Sequence, residues 1–181
     1  MNVLIACEFS GVVRDAFSRR GHNAVSCDLL PTESEGSHYT GDVLTILDKN
    51  WDLMIAHPPC THLATSGARW FKYKVEEQKQ ALNFVRILLD ASINKIALEN
   101  PVGVLSTRIR KPDQIIQPWM FGHGEKKRTC LWLKNLPPLQ PTDIVEGRSN
   151  RIHMMPDSKG RAKRRSITYS GIAKAMAEQW G

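Results

Sequence analysis

Leu53-Met54-Ile55-Ala56-His57-Pro58-Pro59-Cys60 joins an unbroken apolar run to a double proline and a cysteine. A short apolar run bounded by prolines reads as a buried strand that stops abruptly. Each proline fixes its own φ, and the first also restricts the residue before it, so the exit is stiff. Cys60 would then stand at the carboxyl end of a strand, where open α/β sheets place their ligands. On this stretch alone it reads more readily as a small buried side chain than as a reactive one.

The neighbouring sequence supplies the rest of the sheet. Residues 2–7 form an apolar run suited to a first strand, and 11–20 carry Val12, Val13, Ala16 and Phe17 at helical spacing. Gly21-His22-Asn23 is a stop signal, after which 24–27 read as a second strand ending at Asp28. Residues 29–40, with Pro31, Ser34, Gly36 and Ser37, read as a loop or short irregular helix. Ala81, Leu82, Val85, Leu88 and Leu89 line one face of a helix over 76–93. Strands are expected at 95–98 and 129–133, extended loop over 137–166, and a closing helix over 172–180. Strands interleaved with helices imply βαβ units, hence one α/β domain around a mostly parallel, Rossmann-like sheet.

Composition narrows the class. With 41% hydrophobic and 24% charged residues in 181, the chain is globular rather than disordered or fibrous. No apolar stretch approaches the roughly 20 residues needed to span a bilayer, so no membrane partner is expected. Met1-Asn2-Val3-Leu4-Ile5 lacks a charged leader and reads as strand, so no signal peptide is expected. Cys7, Cys27, Cys60 and Cys130 form no CxxC pair, which argues against a zinc site or disulfide framework. A reducing cytoplasm is the expected setting.

Charge is unevenly spread. Residues 1–100 carry 10 Lys/Arg against 12 Asp/Glu, whereas 101–181 carry 15 against 6. Such asymmetry points to a face that meets a polyanion. The densest run holds Arg148, Arg151, Lys159, Arg161, Lys163, Arg164 and Arg165, opposed only by Asp157. Together with Arg69, Arg108, Arg110, Lys126 and Lys127, these cations are the expected nucleic-acid contacts.

Chemistry-bearing residues fall at successive strand ends. Cys7-Glu8-Phe9-Ser10-Gly11 joins the first strand to the first helix, and its serine and glycine let the backbone approach a ligand there. Asp28, followed by Leu29, ends the second strand at about the distance at which an acid meets a nucleoside ribose. Gly41-Asp42-Val43 offers a carboxylate to an adenine amino group. Cys60 follows one strand and Glu99-Asn100-Pro101 the next, so a parallel sheet would place both on one edge. Lys126-Lys127-Arg128 precedes the strand at 129–133 and brings cations to the same region.

This ordered set of Phe9-Ser10-Gly11, Asp28, Gly41-Asp42-Val43, Pro58-Pro59-Cys60, Glu99-Asn100-Pro101 and Lys127-Arg128 resembles the motif series of the DNA cytosine-5 methyltransferases. It looks most like the short stand-alone versions common in bacteriophages. The resemblance covers most of residues 1–134, and Ser170-Gly171-Ile172-Ala173 is similar to the family's last motif.

The resemblance implies the S-adenosylmethionine-dependent methyltransferase type of fold. It further implies that donor as cofactor, a DNA substrate (double- or single-stranded), and a bacterial or phage-infected cytoplasm. It divides the chain into a catalytic core (1–134), a basic segment (135–167) and a C-terminal helix packing back on the core (168–181). Phe9, Ser10 and Gly11 would wrap the methionine portion, Asp28 would hold the ribose and Asp42 the adenine, with Cys7, Glu8, Leu29, Val43 and Pro58 also binding the cofactor. Cys60 would be the nucleophile, Glu99 would hold the pyrimidine, and Arg128 would contact its carbonyl, with Asn100 also among the catalytic residues.

The chemistry is consistent with that assignment. C5 of cytosine is a poor nucleophile until a thiolate adds to C6, and a stacked base must flip out to be reached. Only residues 136–167 stand where the longer enzymes carry a target-reading region. Sequence selectivity is therefore expected to be low, or supplied by a partner protein or a second copy.

Other readings stay open at this stage. His57 and His62 flank Cys60 as in a Cys-His hydrolase, although no third orienting group accompanies them. The same chemistry suits RNA or a free pyrimidine nucleotide, and a non-catalytic nucleic-acid binder could share the fold. Neutralising Arg161, Lys163, Arg164 and Arg165 should weaken DNA binding and flatten its salt dependence. Unchanged affinity at low and high salt would remove that role from the segment.

Overall fold

The apolar run at the centre of the sequence is the centre of the sheet. In the computed structural model, which describes residues 1–152, 154–156, 158 and 160–181, β4 (Leu53–Ala56) has no exposed side chain. It lies between β1 (Asn2–Ala6) and β5 (Lys95–Pro101), parallel to both. With β2 (Asn23–Asp28), β3 (His38–Thr40), β6 (Gln114–Ile116) and β7 (Thr129–Lys134), the sheet runs β3-β2-β1-β4-β5-β7-β6. Five neighbouring strands are parallel, and β7 runs against both β5 and β6. The expected mostly parallel α/β sheet is thus present.

Both faces are covered, which is why β1 and β4 read as continuous apolar runs rather than alternating ones. Val3, Ile5, Leu53 and Ile55 pack under α1 (Val12–Ser18) and α5 (Ser170–Trp180), chiefly against Phe17, Met176 and Trp180. Leu4, Ala6, Met54 and Ala56 point to the other face, where α2 (Val75–Leu89) lays down Leu82, Val85 and Leu88. Alternate residues of each strand therefore serve different helices. Among the described residues, no helix is long and apolar enough to cross a membrane.

Four details differ from the sequence reading. Residues 38–40 are an edge strand rather than loop, too short and exposed to carry an alternating pattern. β5 continues through Glu99 and Asn100 to Pro101, because β7 pairs with it there: Glu99 with Leu131, Pro101 with Thr129. β6 is a three-residue strand, too short for Ile115 and Ile116 to set an alternating pattern. Within the expected loop at 137–166, Arg161–Ser166 forms a short helix, α4, which has no apolar stripe to announce it.

One buried cation anchors the stretch between β2 and β3. Arg14 is fully buried on α1. Its guanidinium donates to Ser26 Oγ and Thr32 Oγ1 at 3.2 Å, Ser34 Oγ at 2.6 Å and the Glu35 carbonyl at 2.7 Å. Its Nε meets Asp15 Oδ1 at 2.8 Å. Gly36 has φ +136°, and a Cβ there would lie 2.8 Å from the guanidinium, so a side chain has no room.

Arg14→Met should keep the apolar stem but strand these acceptors, costing about 3 kcal/mol in denaturant unfolding. A loss under about 0.5 kcal/mol, the range of ordinary surface changes, would show that Arg14 is no anchor.

Candidate active site

Strand register builds the site. Ala6, Ala56 and Leu98 are aligned across β1, β4 and β5, so Cys7, His57 and Glu99 come next at one level. The His57 N–H donates to the Ala6 carbonyl at 2.9 Å and carries the ladder one residue further. Pro58 and Pro59 have no N–H to continue it, and the chain turns. The Cys60 carbonyl then accepts from the amides of Leu63 and Ala64 at 3.0 and 2.9 Å, fixing the turn beneath the thiol. Asn100, buried, donates from Nδ2 to the Pro58 carbonyl at 2.9 Å and ties the two strand exits together.

Cys60, Glu99, His57 and Lys127 line one cavity of about 90 Å³ with Cys7, Glu8, Phe9 and Ser10 on its β1 side. Arg165, Ser166 and Thr168 form its roof. Lys127 Nζ donates to the Arg165 carbonyl at 2.8 Å and holds that roof.

The charges in this cavity are linked. Burial pushes the Glu99 carboxyl up, but a hydrogen bond from His57, the Lys127 charge and the Thr129 hydroxyl carry it below its ordinary value. His57 Nδ1 lies 3.3 Å from Glu99 Oε2, so Nδ1 carries the proton while Glu99 is ionised. His57 Nε2 is buried and has no hydrogen-bond partner among the described residues; Asn100 Oδ1 is in the same condition. The Cys60 thiol is raised by burial and then by Glu99, against opposing pulls from Lys127, a backbone amide and Arg165.

The structure gathers eight of the fourteen residues marked in the sequence as catalytic or cofactor-binding. Cys60, Glu99, Asn100, Pro58 and Cys7 through Ser10 meet at the cavity, with Lys127 and Arg165. Arg128 is exposed and outside the lining, because side chains alternate as the chain enters β7. Lys127 is therefore the cation beside Glu99. Asn100 reaches the Pro58 backbone, so its role here is to position the two strand exits.

The first helix does not offer its amides to a ligand. Glu8 Oε1 accepts from the Val13 amide at 2.7 Å, and Oε2 from the Arg14 amide at 3.2 Å. The chain's own carboxylate thus fills the helix N-terminus. Gly11 makes the turn at φ +74°.

Asp28 and Asp42 stand outside the cavity lining but beside Cys7. Burial first, then Asp28, Cys27 and Asp42, push the Cys7 thiol up to about 12. Each acid bonds a local amide through Oδ1, Leu30 for Asp28 and Leu44 for Asp42. Their other oxygens have no hydrogen-bond partner among the described residues, leaving acceptors for a nucleoside's hydroxyl and amino groups. Leu29 is exposed next to Asp28, whereas Val43 is buried in the α2-side core.

Several expected nucleic-acid contacts have partners within the protein. Arg110 pairs with Asp113, Arg151 with Glu125 and Lys163 with Glu33. Arg148 packs 4.0 Å from the Trp119 ring centroid and bonds the Gly147 carbonyl. Arg69, Arg108, Lys126 and Arg164 are exposed, Arg161 is half-buried, and Lys159 and Asp157 lie outside the described residues. His57 was legible only as a neighbour of Cys60. What reveals its role is its register with Glu99, whose carboxylate it meets through Nδ1.

No protein-family model and no curated protein matches this chain. Among solved structures it resembles a protein described as a DNA modification methyltransferase encoded within a prophage of E. coli. That match has 16% identity and a TM-score of 0.53, and covers 87% of this chain and 56% of that one. A substituted DNMT2 from Spodoptera frugiperda matches with 15% identity and a TM-score of 0.51, covering 88% of this chain and 61% of that one. The fold is therefore the methyltransferase fold, and the chain spans little more than half the length of these structures.

The linked charges predict opposite shifts in thiol reactivity. Glu99→Gln should lower the pH midpoint of Cys60 alkylation by removing the nearby anion. Lys127→Met should raise it. Iodoacetamide labelling read at Cys60 by mass spectrometry over a pH series tests both, and shifts of the same sign would contradict the arrangement.

Proposed function

We propose that this protein methylates C5 of cytosine in DNA, with S-adenosylmethionine as donor and Cys60 as covalent nucleophile. The observation that carries the reading is Cys60 and Glu99 in one cavity, delivered from adjacent parallel strands, with Lys127 beside them. The residues present fit the donor: Asp28 and Asp42 supply acceptors, Leu29 an apolar surface, and Phe9 and Ser10 a wall shared with the cavity. When bound, the donor supplies an electrophilic methyl group to C5.

The chain's own groups do the remaining work. Cys60 Sγ adds to C6 of a flipped cytosine, losing its proton as the S–C6 bond forms and C5 becomes electron-rich. Ring N3 takes up a proton, balancing the one the thiol gives up, as the C5–C6 double bond is spent, and Glu99, in the same cavity as the thiol, shares it. Sharing that proton also quenches the anion that holds the Cys60 thiol up, so protonation of the base and ionisation of the thiol favour each other. After transfer, C5 releases its proton to water, its electron pair re-forms the C5–C6 double bond as the S–C6 bond breaks, and the proton borrowed at N3 returns to the departing thiolate. His57 keeps the Glu99 carboxylate in place through Nδ1.

The cavity is smaller than the few hundred Å³ usual for small-molecule sites. Base and donor therefore fit together only when the Arg165–Thr168 roof lifts, which frees a Lys127 N–H for the base carbonyl. Flipping the base costs a few kcal/mol from a duplex and less from a single strand.

Incorporation of labelled methyl into duplex DNA, single-stranded DNA, RNA and dCMP is the direct test. Transfer into DNA that vanishes in Cys60→Ala and falls about 10²- to 10⁴-fold in Glu99→Gln is expected. Incorporation into dCMP alone, or transfer that survives in Cys60→Ala, would overturn the reading.

A further inference from the structure

Ten residues beyond Cys60 the chain displays an aromatic and cationic surface that the proposed chemistry does not use. Trp70 is 52% exposed and Tyr73 68% exposed. Of the five tryptophans in the chain it is the exposed one; Trp132 and Trp180 are buried, and Trp51 and Trp119 are half-buried. The two rings lie 6.5 Å apart between centroids, tilted by 49°. The Arg69 guanidinium is 5.2 Å from the Trp70 centroid, and Lys72 Nζ is 4.7 Å from that of Tyr73. Between Thr61 and Val75 the cations Arg69, Lys72 and Lys74 meet no acidic residue.

This surface is fastened to the site. The Thr65 amide donates to the Val102 carbonyl at 3.1 Å, and the Val104 amide to the Leu63 carbonyl at 2.9 Å. Ala64 and Gly103 form a β-bridge between these bonds. A Cβ on Gly103 would stand 2.0 Å from the Leu63 carbonyl oxygen, so this close approach requires glycine. The segment leaving Cys60 is thus stapled to the segment leaving Glu99 and Asn100, and the exposed rings follow directly, on the 3₁₀ turns of Thr65–Tyr73.

We infer that Trp70 and Tyr73, with Arg69 and Lys72 beside them, form a stacking platform for unpaired bases of the nucleic-acid strand whose target base enters the Cys60 cavity. This rests on the reading of the chain as a nucleic-acid methyltransferase. Exposed rings set among cations call for an occupant that is flat, apolar on its faces and anionic along its backbone, and an unpaired strand meets all three demands. A duplex does not, because its base faces are covered by their neighbours. The platform therefore favours single-stranded or locally opened DNA over closed duplex.

The test uses the full chain and a labelled oligothymidylate, which has no target cytosine, as a single strand and as a duplex. Trp70→Ala should weaken single-strand binding about 5- to 100-fold and duplex binding much less, as should Tyr73→Ala. Trp70→Phe and Tyr73→Phe should retain most of the affinity. Arg69→Gln should weaken both forms and reduce the salt slope by about one. Unfolding midpoints of the variants check that the exposed substitutions leave the fold intact.

Equal single-strand affinity of Trp70→Ala and the parent overturns the platform, even where methyl transfer to DNA is intact. Aromatic-dependent binding to anionic phospholipid vesicles without an effect on DNA overturns it as well. Conversely, single-strand binding that depends on Trp70 in a chain that methylates no substrate supports the platform and removes the enzymatic reading alone.

Discussion

The parallel pairing of β4 with β1 on one side and β5 on the other is the constraint on which the site rests. Ala6, Ala56 and Leu98 are held level by buried ladders, and the residues that follow inherit that alignment. A one-residue slip would turn each following side chain to the opposite face. Glu99 would then leave the cavity, and Asn100 would lose the Pro58 carbonyl. The slip is opposed by the apolar residues of β4, half committed to α1 and α5 and half to α2. Core packing and the geometry of the cavity are enforced by the same register.

The charge distribution gains a second meaning in the fold. The anionic and thiol groups of the cavity come from the first hundred residues, and the cations beside them, Lys127 and Arg165, come from the basic remainder. Lys163 likewise meets Glu33. Part of the positive excess thus stitches the later segments onto the sheet. At the cavity the arrangement is finely opposed, since Glu99 disfavours the Cys60 thiolate that Lys127 and Arg165 favour. Such opposition makes the thiol responsive to what happens at Glu99.

Much of this was legible in the sequence for one reason: a strand buried on both faces must be apolar throughout. Leu53–Ala56 shows its bounds, and the prolines show where it stops. The α2 stripe was equally plain, because a helix face against a sheet has a period. Short elements with no buried stripe, β3, β6 and α4, carried no such signal. Nor did partnerships that depend on three-dimensional register: His57 with Glu99, the Glu8 carboxylate on its own helix, and Arg14 with residues 32–35. Lys126-Lys127-Arg128 announced cations, but only the direction of β7 and its alternation select Lys127.

The reversal of β7 has a consequence for the chain's architecture. Ile116 and Thr129 are paired across β6 and β7, so residues 117–128 leave the sheet and rejoin it at a single point on the rim of the cavity. Doubling a loop whose ends already meet adds only about 0.6 kcal/mol of closure entropy. The hairpin is thus a natural splice site: a module can be grafted there, beside the cavity, without redrawing any strand of the sheet.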